Sequence, residues 1–254
     1  MQRILKDKGL WNGDILVFES LHSTNKWALE NMASLAHGDV IRAIRQTAGH
    51  GRFDRKWLSP DDRCLTISIA IKREPFAGTM ATILGQLSAL AIRASLDKQQ
   101  IAALVKWPND VLVNGKKIAG ILVEGDSLAG WMVLGIGLNI NTTISDFSQL
   151  DPMQPVTSMA IERECAFDVG RVCVDLLAEL ERTFDATEKG GANHLFDNWK
   201  LHDALTGKQI TVNTGTAPVK GTYAGMTEDG RIRVIDTFGE EHQFWSGDVS
   251  LNSI

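Results

Sequence analysis

The stretch ALVKWPNDVLVNGKKIAGILVE, residues 103–124, contains two apolar runs separated by the dipeptide Asn114-Gly115. An Asn-Gly pair between apolar runs favours the tight turn that joins two antiparallel strands. The short apolar runs on both sides of this turn predict strands at 103–107, 117–124 and 131–140. This part of the chain therefore predicts closely spaced strands of a sheet, two of them joined by a hairpin.

The regions around this stretch add helices and further strands. The sequence CLTISIAIK at 64–72 alternates apolar and polar positions, as a strand with one buried face does. Residues 79–96 carry apolar side chains at helical spacing, which predicts an amphipathic helix lying on the sheet. Ser23 is expected to cap a helix over roughly 25–32. The other predicted elements are strands at 15–18 and 40–44 and a second long helix at 169–184.

The composition changes near Lys208, after which glycine and aspartate turns recur at about ten-residue spacing, as in a small barrel. The sequence therefore predicts an α+β main domain at 1–203, with a mixed sheet and packed helices, and a small all-β domain at 204–254. Because the second domain is too short to bury much apolar surface alone, we expect it to pack against the first. Its predicted strands are 209–213, 219–224, 231–235, 243–245 and 249–251.

The overall composition excludes several classes of protein. With 254 residues, of which 44% are apolar and 22% charged, the chain is in the range of ordinary globular proteins. A formal net charge of -5 argues against a general attraction to nucleic acid or to a membrane surface. Cys64, Cys165 and Cys173 form no Cys-x-x-Cys pair, and no segment approaches the roughly 18 apolar residues of a membrane helix. We therefore expect a cytoplasmic protein with buried thiols.

The most informative segment for function is QTAGHGRFDRKWLSP, residues 46–60. Two glycines bracket His50, and Arg52 and Arg55 follow, so backbone N–H groups and guanidinium groups could together surround an anion. An exposed basic loop explains this segment alone equally well, because short motifs of this kind match many unrelated proteins. The segment lacks the Gly-Lys-Ser/Thr of a Walker loop and does not open a helix as a dinucleotide fingerprint does.

Two lysines on neighbouring strands are further candidates for an anion site. The segment VKWPNDV at 105–111 places Lys106 at the end of a buried strand, just before a proline. Lysine is seldom buried without a partner, so we expect Lys106 to meet an anion, with a solvated strand end as the alternative. The segment GKKIAGILVE places Lys117 on the next strand with Gly120 behind it. Gly120 predicts either the close approach of a ligand or a strand bulge.

Together with SLHSTN at 20–25 and GIGLNIN at 135–141, these segments closely resemble the catalytic domain of biotin protein ligases. The resemblance covers nearly the whole chain, and its specificity comes from the combination of STN, the glycine-arginine loop, KWPND and KIAGILVE. It implies a catalytic domain similar to that of class II aminoacyl-tRNA synthetases, followed by an SH3-like β-barrel. It also implies an enzyme that activates biotin with ATP and attaches it to a lysine of a carrier protein through biotinyl-5′-AMP.

The resemblance implies a biotin site built from short polar side chains. In the family, the Ser-Thr-Asn segment and the glutamine before the loop hydrogen-bond the ureido ring of biotin. Hydroxyl and amide groups in a dry pocket suit this neutral ring, which has N–H donors and a carbonyl acceptor. The loop closes over biotin and the phosphates, and Trp57 is expected to pack on the ligand or to hold the loop. The expected biotin-binding residues are Ser23, Thr24, Asn25, Gln46, Gly49, His50, Gly51, Arg52 and Lys106.

The resemblance also implies where ATP binds. Lys106 matches the lysine that meets the biotin carboxylate and the phosphate under attack, and we expect it to offset, with Arg52, the repulsion between these anions. Lys106 and Arg52 are therefore the expected catalytic residues. Mg²⁺ is expected to accompany ATP, with ligands that the sequence does not identify. The expected ATP-binding residues are Arg52, Arg55, Trp57, Lys117 and Asn139.

Three positions depart from the family pattern. The family loop usually reads GRGRxGR, whereas this chain has GHGRFDR, with His50 for an arginine and Asp54 for a glycine. The positive charge at position 50 therefore depends on pH. Asn252 stands where some relatives carry an arginine that reaches the nucleotide, so no catalytic contribution is expected from the C-terminal domain.

Three other functions compete with this one. A ligase that is also a repressor carries a helix-turn-helix domain first, and only about twenty residues precede SLHSTN, so we expect no DNA binding. A lipoate ligase is a second alternative, but the arginine loop and KWPND favour biotin. A non-enzymatic nucleic-acid-binding protein needs basic and aromatic residues interleaved on the β domain, which instead has Glu240 and Glu241. The expected partner is the biotin carboxyl carrier domain of acetyl-CoA carboxylase or a related carboxylase, with no membrane partner, and the enzyme is expected as a monomer or a homodimer.

Overall fold

The computed structural model describes residues 2–5, 13–57, 62–72, 81–126, 130–149, 154–215 and 217–251, which form two sheets with packed helices. The larger sheet comprises β1 (Gln2–Leu5), β2 (Asp14–Leu21), β3 (Val40–Gln46), β4 (Cys64–Lys72), β5 (Leu104–Lys106), β6 (Asp110–Val113), β7 (Lys116–Asp126) and β8 (Trp131–Asn139). Their order across the sheet is β1-β2-β3-β4-β8-β7-β6-β5. Strands β2 and β3 are parallel and the other neighbours are antiparallel, which confirms the predicted mixed sheet.

Two consecutive hairpins form one end of this sheet. The predicted turn joins β6 to β7, where Asn114 (φ 51°) and Gly115 (φ 74°) both have positive φ. Positive φ at both central residues is the turn geometry for which Asn-Gly is preferred. A second hairpin joins β5 to β6 and was not predicted. It sets Lys106 directly opposite Asp110, so the KWPND segment is the connection that brings these two charged residues together.

The helices are α1 (Thr24–Glu30), α2 (Ala81–Lys98), α3 (Ile144–Ser148), α4 (Met159–Arg163) and α5 (Val169–Leu201). Ser23 caps α1 as predicted and accepts a hydrogen bond from the Lys26 N–H at 3.4 Å. Helix α2 was predicted from residue 79, and positions 79 and 80 lie outside the described residues. Among the described helices, none has both the length and the apolar character needed to cross a membrane.

Helix α5 corrects a sequence prediction, because it continues to Leu201 rather than ending at 184. The helix spans the glycine pair 190–191, and glycine is a poor helix former. Beyond it, Leu195 and Trp199 are buried in the main core, each 1% exposed. Tertiary packing of these two side chains therefore overrides the weak local propensity that made the helix look shorter.

Strand β4 is buried on both faces, which corrects the prediction of a single buried face. Its leucine and isoleucines belong to the main core with helices α2 and α5. On the opposite face, Ala70 packs in a second apolar cluster with Ala28 of helix α1, and Ser68 is fully buried. The alternation predicts the strand itself, but small polar residues such as Ser68 do not face solvent here, because helix α1 covers them.

The smaller sheet contains β9 (Gln209–Asn213), β10 (Val219–Met226), β11 (Ile232–Asp236), β12 (Glu241–Phe244) and β13 (Asp248–Leu251). It is antiparallel, in the order β12-β11-β10-β9-β13, and it packs against the main domain. The Gly230 carbonyl accepts hydrogen bonds from Gln86 Nε2 (2.9 Å) and Trp107 Nε1 (3.0 Å), whose side chains are buried. Trp107 belongs to the KWPND segment, so this contact links the small sheet to a segment with candidate functional residues. The domain boundary at 203/204 stays a prediction.

Candidate functional site

A cavity of about 860 Å³ is lined by the loop after β3, by strands β5 to β8 and by β13. Most of the residues that the sequence singled out line this cavity. They are Ser23, Thr24, Asn25, Gln46, His50, Gly51, Arg52, Arg55, Trp57, Lys106, Lys117 and Asn139. Segments that are far apart in sequence thus meet at one place.

A buried cluster of neutral polar groups forms part of the wall. The Gln46 Oε1 atom accepts hydrogen bonds from the Thr24 backbone N–H (2.7 Å) and the Thr24 hydroxyl (3.2 Å). The Ser68 hydroxyl lies 2.7 Å from Thr24 Oγ1 and 2.5 Å from Asn25 Oδ1, close enough to donate to either. Ser23, Thr24 and Asn25 are 5%, 4% and 4% exposed. These contacts fix the orientation of short donors and acceptors in a dry environment, which suits a neutral polar ligand.

Glu124 connects this cluster to the loop. Asn25 Nδ2 donates to Glu124 Oε2 at 2.8 Å, and His50 Nε2 lies 3.6 Å from the same oxygen. The carboxylate therefore helps to orient Asn25 and faces the residue that replaces an arginine of the family loop. Neither residue 68 nor residue 124 was predicted as a site residue: a serine on a strand gives no signal of its own, whereas Glu124 ends the KIAGILVE motif, which could have identified it.

Glycines on β7 and β8 make room for the ring of Trp57. A Cβ atom at Gly137 would overlap the indole, and one at Gly120 would lie 3.4 Å from it and 3.0 Å from Lys117 Nζ. A third glycine, Gly135, leaves space for the Asn25 side chain. The sequence left open whether Gly120 admits a ligand or forms a bulge; in the structure, it admits the side chains of Trp57 and Lys117.

We expect Gly137→Ala to destabilise the protein by about 1–3 kcal/mol, because the added methyl group has no space while Trp57 keeps its position. Urea unfolding monitored by far-UV circular dichroism measures this free energy. Gly85→Ala in helix α2 is the matched control, since its Cβ would lie 3.8 Å from the nearest atom. Because alanine is the better helix former, the control should stabilise the protein by up to about 1 kcal/mol. Equal effects of the two changes would contradict the close packing at Gly137.

Gly49 is the residue of the predicted biotin site that does not line the cavity. It is buried, and a Cβ atom there would lie 2.7 Å from the Trp57 carbonyl oxygen and 2.8 Å from Gln46 Nε2. The Gly49 carbonyl accepts a hydrogen bond from the Trp57 N–H at 2.9 Å. Gly49 therefore allows the two ends of the loop to approach each other and stands behind the site.

Cations concentrate on another part of the cavity wall. Burial lowers the pKa of Lys106, while Asp110 raises it and Lys117 lowers it further. Lys117 Nζ lies 2.5 Å from Asp110 Oδ1, and Asp110 also accepts from Gln154 Nε2 at 3.3 Å. Among the described residues, Lys106 has no carboxylate within ion-pair distance. An ammonium group kept in a largely desolvated place without a partner favours the binding of an anion.

The two arginines of the loop have different partners. Arg52 Nη1 donates to Asn109 Oδ1 (3.4 Å) and to the Gly247 carbonyl oxygen (3.3 Å), both neutral acceptors. Burial lowers the pKa of Arg52, and the charges of Asp248 and Asp110 partly offset this effect. Arg55 forms an ion pair with Asp248. The guanidinium of Arg52 thus connects the loop to two other segments, at Asn109 and at Gly247, without a direct carboxylate contact in the described structure.

The C-terminal domain lines part of the cavity, while the expectation that it makes no catalytic contribution stays a prediction. Asn252, on which that expectation was based, lies outside the described residues. The strand that precedes it lines the cavity through Asp248, Val249, Ser250 and Leu251. Asp110 and Asn109 also line the site; they lie inside the KWPND motif, so the motif itself could have identified them. Asp248 carried no comparable signal.

Asn139 lies at the end of β8, where its Nδ2 donates to the Thr157 carbonyl oxygen at 3.0 Å. Its side chain is 5% exposed and belongs to the cavity wall. The neighbouring segment runs beside β7, since the Lys117 N–H donates to the Pro155 carbonyl (2.8 Å) and the Thr157 N–H to the Lys117 carbonyl (2.9 Å). These contacts hold Asn139 and Lys117 on the same side of the site.

Chemically, the cavity can hold a molecule with a neutral polar head and an anionic end. The buried amide and hydroxyl groups suit the head, and apolar side chains such as Ile121 and Ile136 line the space beside it. The lysines and arginines suit carboxylate and phosphate groups. No described residue offers a nucleophile paired with a general base in this cavity, so the arrangement favours catalysis by positioning and by stabilising charge.

Comparisons with known proteins agree with this chemistry. The model of the Biotin/lipoate A/B protein ligase family matches residues 17–141. The biotin--[acetyl-CoA-carboxylase] ligase of Paracoccus denitrificans is 31% identical over 220 residues, covering 83% of this chain and 89% of that protein. The enzyme of the same name from Mycobacterium tuberculosis is 30% identical over 239 residues, covering 89% and 85%. The fold is similar to that of Aquifex aeolicus biotin protein ligase in complex with biotin and ATP (TM-score 0.80, 23% identity, 94% and 98% covered).

Proposed function

Because this chain belongs to the biotin/lipoate A/B protein ligase family, we propose from its cavity how its own residues carry out the ligase reaction. The enzyme is an ATP-dependent biotin ligase, which attaches biotin to a lysine of a carrier protein. The assignment of residues rests on one observation: the same cavity is lined both by a buried neutral polar cluster and by five lysine and arginine side chains. Biotin has the matching pair of groups, a neutral ureido ring and a carboxylate.

The polar cluster is the proposed site of the ureido ring. The Gln46 Oε1 atom is engaged by Thr24, which leaves the Gln46 amide N–H groups as donors toward the ring carbonyl. Ser23 and Asn25 supply further short polar groups, and Trp57 forms a flat wall above the glycines of β7 and β8. The backbone of Gly51 and His50 borders the same space. Binding biotin here exchanges water for fixed protein partners at little entropic cost, since the cluster is already ordered.

The cations are the proposed site of adenylation. The biotin carboxylate attacks the α-phosphate of ATP, and pyrophosphate leaves. Lys106 and Arg52 offset the repulsion between the two reacting anions, because they hold positive charge in a place with little water and without a carboxylate partner within contact distance in the described structure. Lys117 contributes a phosphate contact once ATP competes with Asp110. Arg55 has several N–H donors, so it can contact a phosphate while it keeps its ion pair with Asp248. Asn139 is proposed to bind the adenosine.

Mg²⁺ is proposed to enter with ATP as part of the substrate. The cavity has two carboxylates, Asp110 and Asp248, and each already forms an ion pair with a cation. Such a set does not form a protein cage for a divalent ion, and Mg²⁺ commonly binds through substrate phosphates with one or two carboxylates. Asp110 is the better candidate for a ligand, since it lies beside Lys106 at the expected phosphate position. The bound ion would neutralise part of the phosphate charge.

In the second half-reaction, the ε-amine of the carrier lysine attacks the acyl carbon of biotinyl-5′-AMP and AMP leaves. The amide that forms keeps the biotin, and the proton of the amine is lost to solvent or to the departing phosphate. The proposed carrier is the biotin carboxyl carrier domain of a carboxylase, and the cytoplasm is the proposed compartment. Cys64, Cys165 and Cys173 form no disulfide with one another, which suits a reducing compartment.

Transfer of radiolabelled biotin to a purified carrier domain tests the proposed function. With ATP and Mg²⁺, we expect label in the wild-type carrier and none in a carrier whose acceptor lysine is replaced by arginine. Thin-layer chromatography should show biotinyl-5′-AMP when the carrier is omitted. Lipoate with a lipoyl domain is run in parallel. Preferred transfer of lipoate would contradict the assignment of the polar cluster to a ureido ring.

A further inference from the structure

The loop over the cavity comprises residues 49–57. The start of strand β13 in the C-terminal domain, together with the residue before it, contacts both arginines of this loop. The carboxylate of Asp248 forms the ion pair with Arg55, and the carbonyl of the preceding Gly247 accepts from Arg52 Nη1 at 3.3 Å. These contacts join residues that are 193 and 195 positions apart in the sequence. Two neighbouring residues of one domain therefore hold two positions of a loop that belongs to the other.

The position of Asp248 is fixed by its strand. It pairs with Asn213 of β9, and the next residue, Val249, is 8% exposed and belongs to the main core. A Cβ atom at Gly247 would lie 3.0 Å from the Asn213 carbonyl oxygen, so the chain enters β13 close against its neighbour. The small domain is in turn anchored through Gly230 to Gln86 and Trp107. Asp248 therefore lies at the cavity on a strand whose position is fixed by its pairing with β9 and by the contacts between the two domains.

The loop, by contrast, is held to the main domain by few contacts at its far end. Its internal hydrogen bonds, from the Gly51 N–H to the Arg55 carbonyl (2.7 Å) and from the Trp57 N–H to the Gly49 carbonyl (2.9 Å), connect the two sides of the loop. Phe53, at its tip, has a positive φ of 55° and is 57% exposed. At this end of the loop, the described contacts with other parts of the protein are made by two side chains, Arg52 and Arg55.

Apart from the exposed Lys56, the cations in the cavity wall divide into two groups. Asp110 engages Lys117 and Asp248 engages Arg55, whereas Lys106 and Arg52 have no carboxylate within ion-pair distance in the described part of the chain. The second pair of cations is the one assigned to the reacting groups. The first pair is already neutralised by protein carboxylates. Asp248 thus engages a loop cation and leaves the two proposed catalytic cations available to the substrates.

We propose that Asp248 is a positioning residue, which holds Arg55 and with it the loop 49–57 over the cavity before ATP binds. The proposal rests on the proposed function for its catalytic consequence, because it takes ATP to be the ligand below the loop. When the loop is already in place, ATP binding does not have to order it, so less binding free energy is lost. The C-terminal domain therefore acts on the reaction through one charged contact.

The first arm of the test uses the ligand-free protein and no activity. Trypsin cleaves after Arg52, Arg55 and Lys56, and cleavage of a folded protein follows the population of the locally open form. Asp248→Asn keeps the shape of the side chain and removes its charge. Because the two side chains are 43% and 36% exposed, the pair is screened by solvent, and we expect cleavage in the loop to be about three- to fivefold faster. Asp248→Glu should restore most of the protection.

The second arm measures the first half-reaction. Asp248→Asn should raise KM for ATP by about three- to fivefold and leave kcat within about twofold, because the loop is ordered at the expense of ATP binding. Glu240→Gln is the matched control, since it removes one exposed carboxylate from the same domain outside the cavity. This control should change neither the cleavage rate nor KM. All variants should keep the thermal midpoint of the wild type.

Unchanged loop cleavage in Asp248→Asn overturns the proposal, whatever the activity. A lower KM for ATP also overturns it, because Asp248 would then only repel the phosphates. If Asp248→Asn loses thermal stability, Asp248→Glu decides: cleavage and KM near the wild-type values support the positioning role, and values like those of the asparagine variant contradict it. Failure of the wild-type protein to form biotinyl-5′-AMP would count against the proposed function alone, since the proteolysis arm would still decide the role of Asp248.

Discussion

Alanine at position 106 is expected to slow the formation of biotinyl-5′-AMP by about 10²- to 10³-fold, and to change transfer from pre-formed biotinyl-5′-AMP by much less. Lys106 is partly buried at the end of β5, and this burial is the main cause of its lowered pKa. Its charge is therefore kept where water cannot screen the two reacting anions. Adenylation joins a carboxylate to a polyphosphate, whereas transfer brings a neutral amine to the acyl carbon. The charge is needed mainly in the first of these steps.

Rapid-quench assays under single-turnover conditions measure the two half-reactions of Lys106→Ala separately. Lys116→Ala is the matched control, because Lys116 is exposed on the neighbouring β6–β7 hairpin and does not line the cavity. The control should keep both rates. If Lys106→Ala slows adenylation and transfer to the same extent, the residue acts on binding or folding in general, and its assignment to the first half-reaction is wrong.

The arrangement of the sheet could be predicted to the extent that local patterns determine it. The Asn114-Gly115 turn and the strand at Cys64–Lys72 were predicted correctly because turn chemistry and alternation are local properties. The burial of Ser68 and the extension of helix α5 were not predictable in this way. Both depend on what packs against the residue from a distant part of the chain, a helix over Ser68 and the core beside Trp199.

In the candidate site, too, the residues that could be predicted are those that local sequence patterns identify. Lys106, Arg52 and Gln46 lie in motifs whose residue types already indicate anion and amide chemistry, and the cavity contains all three. The need for glycine at position 137 of strand β8 arises only because the indole of Trp57, eighty positions earlier in the sequence, packs against it. Asp248 is an ordinary turn-side acid in the sequence and acquires a partner only when the two domains pack together. Contacts of this kind have no local signature, so the structure is needed to find them.

The second large effect is expected at Arg52, whose contacts connect the loop to two other walls of the cavity. Its guanidinium donates to Asn109 Oδ1 and to the Gly247 carbonyl, and lies 5.0 Å from the ring centroid of Phe53. A group that binds phosphate and also fastens the loop can both form the adenylate and retain it. Arg52→Gly removes the charge and the connection together. We therefore expect this variant to release biotinyl-5′-AMP into solution.

Released biotinyl-5′-AMP reacts with any exposed lysine, so Arg52→Gly should biotinylate serum albumin in the presence of biotin and ATP, whereas the wild-type enzyme should label only its carrier. An avidin blot measures the labelling, and chromatography of the filtrate measures the free adenylate. Arg52→Lys is the conservative comparison: it keeps one charge but loses the planar fork, so we expect intermediate release. A role of Arg52 in retaining the adenylate requires that albumin labelling and free adenylate both rise in Arg52→Gly. Labelling no greater than that of the wild type, with carrier biotinylation intact, would place Arg52 outside the phosphate site and leave Lys106 as the main cation of adenylation.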